Sequence, residues 1–380
     1  MRRHHIYSIP ILGYNADWNS PETFHWAHWD FKGVGRGYGW HGAPKPEDFA
    51  RFAAETAKRY KGKVPMYEIW NEPMGGFWNE WAKTREQYVD ILKASYKAIK
   101  DVDPEIQVLC GASLGTADLY RNIYPYKPQK YFDILNFHYY SAGEWTGMSM
   151  RRYAKMNGDG HKRIINTEDQ FGYENFHGIA QLMIRSMAMG IDKLMYFAFG
   201  NLFAKDYAPK PSYVGFSTTT YVLEDAKFVG RIWLDHWQQY AFVFKKGGSD
   251  ILVAWSEGPG AEYTFDVGAK KVTQVNIHGY ENPVKTPEGT IKLKLGAEPT
   301  FIVGAKIKRA GLEPTTHCMP IYRWSIIGPF DENQAKSLDE KFGPQGAINL
   351  TQPMDGVSRK KVAWKKKLFE DYFFDMAPLV

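Results

Sequence analysis

Over residues 6–199 the chain alternates short apolar runs with segments of helical period, and that alternation restricts the fold more than any other feature. The runs at 6–13, 67–72, 108–112, 133–140, 162–168 and 193–199 read as strands. Between the first two, Pro46 and Glu47 open a helix. Phe49, Phe52, Ala53, Thr56, Ala57 and Tyr60 then fall on one helical face. Thr84 with Gln87 has the spacing of a capping box. Tyr88, Ile91, Leu92, Ser95 and Ile99 form the inner face of the helix that follows, which Asp103-Pro104 ends. A further helix is predicted from about His177 to Met189. Neighbouring strands separated by helix-sized connections pair in parallel, since a tight hairpin cannot join parallel strands.

Two of these strands end in a carboxylate. Tyr67-Glu68-Ile69-Trp70-Asn71-Glu72-Pro73 stops abruptly at proline, and Trp70 and Pro73 bracket Glu72, so a freely solvated glutamate is not expected there. Lys162-Arg163-Ile164-Ile165-Asn166-Thr167-Glu168 ends in the second. Alternation puts Ile164, Asn166 and Glu168 on one face, which selects Glu168 over its neighbour Asp169. Two carboxylates at the ends of separate strands suit glycoside hydrolysis, one as acid and the other as nucleophile or base. The bland reading of either residue is a solvated surface charge.

On these motifs and this order of elements, over about residues 1–305, the sequence resembles the glycoside hydrolases of clan A. Within the clan it looks most like family 39, with family 5 next. The resemblance implies a (β/α)8 TIM-barrel type in which Asn71 and Glu72 end strand four and Glu168 ends strand seven. The two strands between them, 108–112 and 133–140, match that count. Counting backward leaves only the strand at 6–12, so the barrel is expected to be incomplete, without its first two β/α units. The resemblance further implies Glu72 as acid/base, Glu168 as nucleophile and Asn71 on the sugar 2-hydroxyl. The two carboxyl groups are expected about 5–5.5 Å apart, the retaining separation. His138 and Tyr140 share a face of their strand and, by the same resemblance, steady the nucleophile or contact substrate. A buried histidine and a core tyrosine are the plain alternatives. Phe197 and Phe199 stand where many clan members carry a tryptophan, and Phe199 is a candidate subsite floor. Trp18, with Trp26, Trp29 and Trp40 in the loop 14–44, is a candidate for stacking on sugar rings or for ordinary packing.

From about Phe228 short strands follow at 240–244, 250–255, 261–267, 271–277, 291–295 and 300–303, broken by Gly, Pro and Asn turns. This texture predicts a β-sandwich, and the expected domains are a barrel at 1–225, a sandwich at 226–308 and a partial β module or extension at 309–380. The net charge of +6 owes much to the run Arg359 to Lys367, a solvated stretch rather than a nucleic-acid patch. No apolar run is long enough to cross a membrane. Residues 6–14, broken by Ser8, Pro10 and Gly13, do not read as an export signal. Cys110 lies in an apolar strand far from Cys318 and reads as a buried thiol. No His-x-x-x-His or Cys-x-x-Cys spacing indicates a metal, and no cofactor is expected. The expected partner is a carbohydrate. A catalytically impaired barrel remnant or carbohydrate-binding protein is the alternative reading, motivated by the short strand count. The unguarded edge strands 6–12 and 193–199 would then favour self-association as a homo-oligomer.

Overall fold

The structure, a computed structural model, describes residues 7–13, 43–73, 84–114, 118–138, 150–151, 154–155, 157–170, 175–197, 199–236, 238–310 and 312. These divide between two compact units, one within 1–139 and 150–167 and the other within 140–149 and 168–380.

In the first unit, helix α1 (Pro46–Arg59) begins on proline, with Glu47 and Asp48 in its first turn and Lys58 and Arg59 in its last. That distribution complements the helix dipole. Phe49, Ala53 and Ala57 are buried, whereas Phe52 and Tyr60 are 48% and 42% exposed, so the apolar stripe is narrower than its spacing predicts. In α2 (Thr84–Val102) the predicted inner residues Tyr88, Ile91, Leu92, Ser95 and Ile99 are all fully buried. α1 and α2 pack against each other. The strands are β1 (Ile11–Leu12), β2 (Met66–Ile69), β3 (Gln107–Leu109), β4 (Ser113–Leu114), β5 (Ile134–His138) and β6 (Arg163–Asp169), with α3 (Asp118–Ile123) between β4 and β5. Their order is β1-β2-β3-β5-β6, with β4 beside β5. The pairs β1/β2, β2/β3 and β3/β5 are parallel. Glu68 lies opposite Ile11, and Leu109 opposite Ile134. Met66, Leu109, Ile134 and Ile165, one from each of four strands, close into a buried cluster.

β6 passes into the second unit at Glu168, and β7 (Lys193–Tyr196) follows it in the sheet order. Phe197 N–H donates to Asp169 C=O at 2.7 Å. The parallel sheet therefore has six strands in succession, as in part of a (β/α) barrel. Helix α4 (Phe176–Ala188) is capped by Asn175, whose Oδ1 accepts from Gly178 N–H at 2.7 Å. After a short turn of helix, α5 (Phe199–Leu202), comes α6 (Pro211–Leu223). α6 packs closely on α4: a Cβ on Gly215 would sit 1.9 Å from Phe176 O.

The remaining strands are β8 (Lys227–Arg231), β9 (Gln239–Lys246), β10 (Ser249–Ser256), β11 (Ala261–Asp266), β12 (Lys271–Val275), β13 (Glu281–Lys285), β14 (Thr290–Leu295) and β15 (Thr300–Ala305). Six form an antiparallel sheet in the order β13-β12-β15-β10-β9-β8, and β11 and β14 form a separate ribbon. One face of the sheet, with Tyr240, Phe242, Phe244, Ile251, Val253 and Trp255, packs against Ala180, Ile184, Val222 and Leu223 of α4 and α6. The opposite face, with Ala241, Val243, Leu252 and Ala254, packs against Phe265, Ile291, Leu293 and Leu295 of the ribbon. Strict period-two alternation sorts β9 and β10 between these two cores.

Candidate active site

The predicted strand-end carboxylate sits on a distorted backbone. β2 finishes at Ile69, and both Trp70 (φ 70°) and Glu72 (φ 46°) then adopt left-handed backbone angles. Side-chain-bearing residues avoid this region, at about 1–2 kcal/mol each. The surroundings hold the turn in place. Trp70 N–H donates to Leu12 C=O at 2.7 Å, and its ring packs against Phe49 at 5.8 Å. The Pro73 ring lies over Gly111, where a Cβ would come within 2.7 Å of it. From α2, the buried Tyr88 hydroxyl donates to Ile69 C=O at 3.2 Å and accepts from Gly111 N–H. Cys110 Sγ lies 3.3 Å from the same hydroxyl. Burial pushes the Tyr88 phenol well above its ordinary value and raises the Cys110 thiol to about 12, so both keep their protons.

One step along each strand from the apolar cluster lies a polar row. Glu68 follows Met66 by two residues, Asn136 follows Ile134, and Thr167 follows Ile165. Glu68, Asn136 and His138 are 1%, 0% and 0% exposed, and Glu72 is 8% exposed. His138 Nδ1 lies 2.7 Å from Glu72 Oε1, and Nε2 lies 3.1 Å from Thr167 Oγ1. Asn136 Nδ2 lies 3.3 Å from the same Thr167 oxygen. Glu68 Oε1 stands 3.9 Å from His138 Nε2. Glu72 and His138 are residue types that ligate metals, but at 2.7 Å they are spaced for a hydrogen bond to one another.

The first unit thus brings together Glu72 and His138 from the predicted set. Asn71 is also buried, with its Oδ1 among the buried side-chain oxygens that have no hydrogen-bond partner. Glu168 is half-buried at the penultimate position of β6. Strict alternation from Ile164 does not assign its face. It is Ile165 that joins the apolar cluster and Thr167 that meets His138, so Ile164 and Asn166 occupy the other side of the strand. β7 ends at Tyr196, and Phe199 opens α5 instead of closing the strand. Phe199 is 59% exposed and stacks on Phe203 at 4.6 Å. Tyr140, Trp18, Trp26, Trp29, Trp40 and Glu174 lie outside the described residues. Thr167 was not among the predicted residues. Its only signal in the sequence is that it precedes the strand-end glutamate.

A partial (β/α) barrel with a buried glutamate at a strand's C-terminal end is the architecture of a barrel enzyme site. Residues 24–180 match the family model described as cellulase (glycosyl hydrolase family 5). No curated protein matches the chain. Among solved structures, a family 39 glycoside hydrolase from the gut symbiont Bacteroides cellulosilyticus WH2 is 18% identical, with a TM-score of 0.58, over 69% of this chain and 62% of that one. A family 30 endoxylanase from Clostridium papyrosolvens C71 is 16% identical, with a TM-score of 0.53, over 69% of this chain and 72% of that one. A monomeric beta-xylosidase from Caulobacter crescentus CB15 is 13% identical, with a TM-score of 0.53, over 79% of this chain and 81% of that one. At these identities the likeness is one of fold. The family model and these neighbours fall among the clan A glycoside hydrolases, and the chain resembles that clan. The chain spans less than two thirds of the family 39 enzyme.

Proposed function

We propose that the chain is a retaining O-glycoside hydrolase acting on an oligo- or polysaccharide, with Glu72 as acid/base and Glu168 as nucleophile. The observation that carries this reading is the clamped, buried Glu72 at the end of β2, bonded to His138, which in turn meets Thr167, the residue before Glu168. Glu72 in its acid form protonates the leaving oxygen while the Glu168 carboxylate attacks the anomeric carbon. The resulting glycosyl–enzyme ester is hydrolysed by a water that the Glu72 carboxylate deprotonates. Asn71 has a buried acceptor oxygen without a partner, which suits a sugar hydroxyl in the same site. His138 shapes that wall of the site, and Tyr140, Trp18 and the exposed Phe199 are proposed as further sugar contacts.

The division into a barrel at 1–225, an antiparallel module at 226–308 and an extension at 309–380 belongs to the same reading. The ribbon β11–β14 laid on the six-stranded sheet serves there as a small β-sandwich.

Azide rescue tests the mechanism. Glu168→Ala should lose turnover of an activated aryl glycoside, and added azide should restore it, giving a glycosyl azide of inverted configuration. Full activity in Glu168→Ala would remove that residue from the mechanism. Sugar binding without hydrolysis by the unmodified chain would favour the carbohydrate-binding alternative.

A further inference from the structure

We propose that Thr167 is a positioning residue that fixes the tautomer of His138 and so decides which oxygen of Glu72 carries the acid proton. This inference rests on the glycosidase reading above and assigns a role to a residue outside its catalytic pair.

The four groups form a chain with one polarity. The Asn136 main chain is pinned by Tyr120, whose hydroxyl accepts from Asn136 N–H at 2.8 Å and donates to Asn136 C=O at 3.0 Å. The Asn136 amide nitrogen can only donate, so Thr167 Oγ1 accepts at that contact. The other contact of Oγ1 is His138 Nε2, 3.1 Å away, and the proposed relay gives the threonine O–H to it. An Nε2 that accepts has no proton, which puts the ring proton on Nδ1. Nδ1–H in turn donates to Glu72 Oε1 at 2.7 Å.

Oε1 accepts this bond equally well as one end of a carboxylate or as the carbonyl oxygen of a carboxylic acid. The catalytic proton therefore resides on Oε2 and not on the oxygen facing the histidine. With the opposite tautomer, Glu72 would have to donate from Oε1 to Nδ1, burying the acid proton against the protein. The charged groups of β2 and its turn that face the imidazole are Glu72 and Glu68, whose Oε1 stands 3.9 Å from Nε2. No proton passes along the chain. The relay orients the ring.

Two measurements on the full chain test this. In uniformly ¹⁵N-labelled protein, long-range ¹H–¹⁵N correlation should show the His138 ring with Nδ1 protonated and Nε2 bare. A ring protonated at Nε2, or at both nitrogens, overturns the proposal. The second measurement compares leaving groups. Thr167→Val should lower kcat on a phenyl glycoside, which needs protonation, by about 10²-fold, and should leave the 2,4-dinitrophenyl glycoside of the same sugar nearly unaffected. Thr167→Ser, which keeps the hydroxyl, should restore the phenyl glycoside rate. An equal loss on both substrates would mark Thr167 as merely structural and overturn the proposal. If the unmodified chain hydrolyses neither, the glycosidase reading fails while the tautomer measurement still decides the relay.

Discussion

The parallel sheet of the first unit and the antiparallel sheet of the second bury their residues to opposite ends. Along the middle of β9 and β10 the buried residues are apolar: Tyr240, Phe242, Phe244, Ile251, Val253 and Trp255 on one face, and Ala241, Val243, Leu252 and Ala254 on the other. In the parallel sheet the apolar layer of Met66, Leu109, Ile134 and Ile165 gives way, two residues further along, to Glu68, Asn136 and Thr167. Burying an unpaired polar group costs about 1–3 kcal/mol, so such a layer persists only where its members bond one another or serve a ligand. The comparison separates a sheet optimised for packing from a sheet end that accepts strain and buried polarity for chemistry.

The sharpest way to break this contrast is to substitute one residue from each side. Glu72→Gln should lower kcat/KM on a phenyl glycoside by about 10²–10⁴-fold, with little change in the urea midpoint. A large loss of stability with activity intact would reverse the roles of the two regions. Trp255→Ala should do the opposite. Trp255 is fully buried, stacked on Tyr240 at 4.6 Å and edge-on to Phe242 at 5.4 Å. Its truncation should cost about 3–5 kcal/mol in equilibrium unfolding. A cost below about 1 kcal/mol would mean that the sheet core is not packed as described.

A smaller effect probes the join between packing and site. Tyr88→Phe removes the hydroxyl shared by Ile69 C=O and Gly111 N–H and leaves both main-chain groups buried. The expected loss is about 1–3 kcal/mol, together with reduced kcat because the Glu72 turn loses its clamp. Unchanged kcat would show that the Trp70 and Pro73 contacts hold the turn without it.

The smallest effect is a pH dependence. Cys110 has its thiol raised from 9.0 to about 12 by burial. The unfolded chain therefore releases this proton first. The contribution is fully present below pH 9.0 and is lost as pH rises towards about 12. Stability measured across that window should fall less steeply in Cys110→Ala than in the unmodified chain. Identical slopes would mean that the thiol is not held protonated by its surroundings.

Helix α2 was readable in the sequence because its residues obey a local period, and β2 because its short apolar run stops at Pro73. Tyr88, Ile91, Leu92, Ser95 and Ile99 recur at helical spacing and are all fully buried. Helix α6 was not. Its segment Pro211–Leu223 mixes Tyr, Val and Thr residues, among them Thr218-Thr219-Thr220, without gathering its apolar groups into one stripe. The sequence accordingly assigns no element there, and tertiary packing against α4 and the sheet face selects helix over the β-prone local preference. β8 and β13 were equally silent. β13 is mostly exposed and carries Pro283, which argues locally against a strand.

By itself the sequence determined the parallel order of the strands, the antiparallel texture after Phe228 and the placement of Glu72 at a strand end. Each of these depends on short-range periodicity or on a proline that forbids continuation. It did not determine which face of β6 meets the polar row, because a period of two fixes the alternation and not its phase. The phase follows from contacts with other strands, which set Ile165 beside Leu109 and Thr167 beside His138. The hydrogen-bonded partner of His138 was likewise decided by the tertiary structure. Glu72 is 66 residues away in the chain, and only the parallel stacking of β2, β3 and β5 brings its carboxylate to the imidazole.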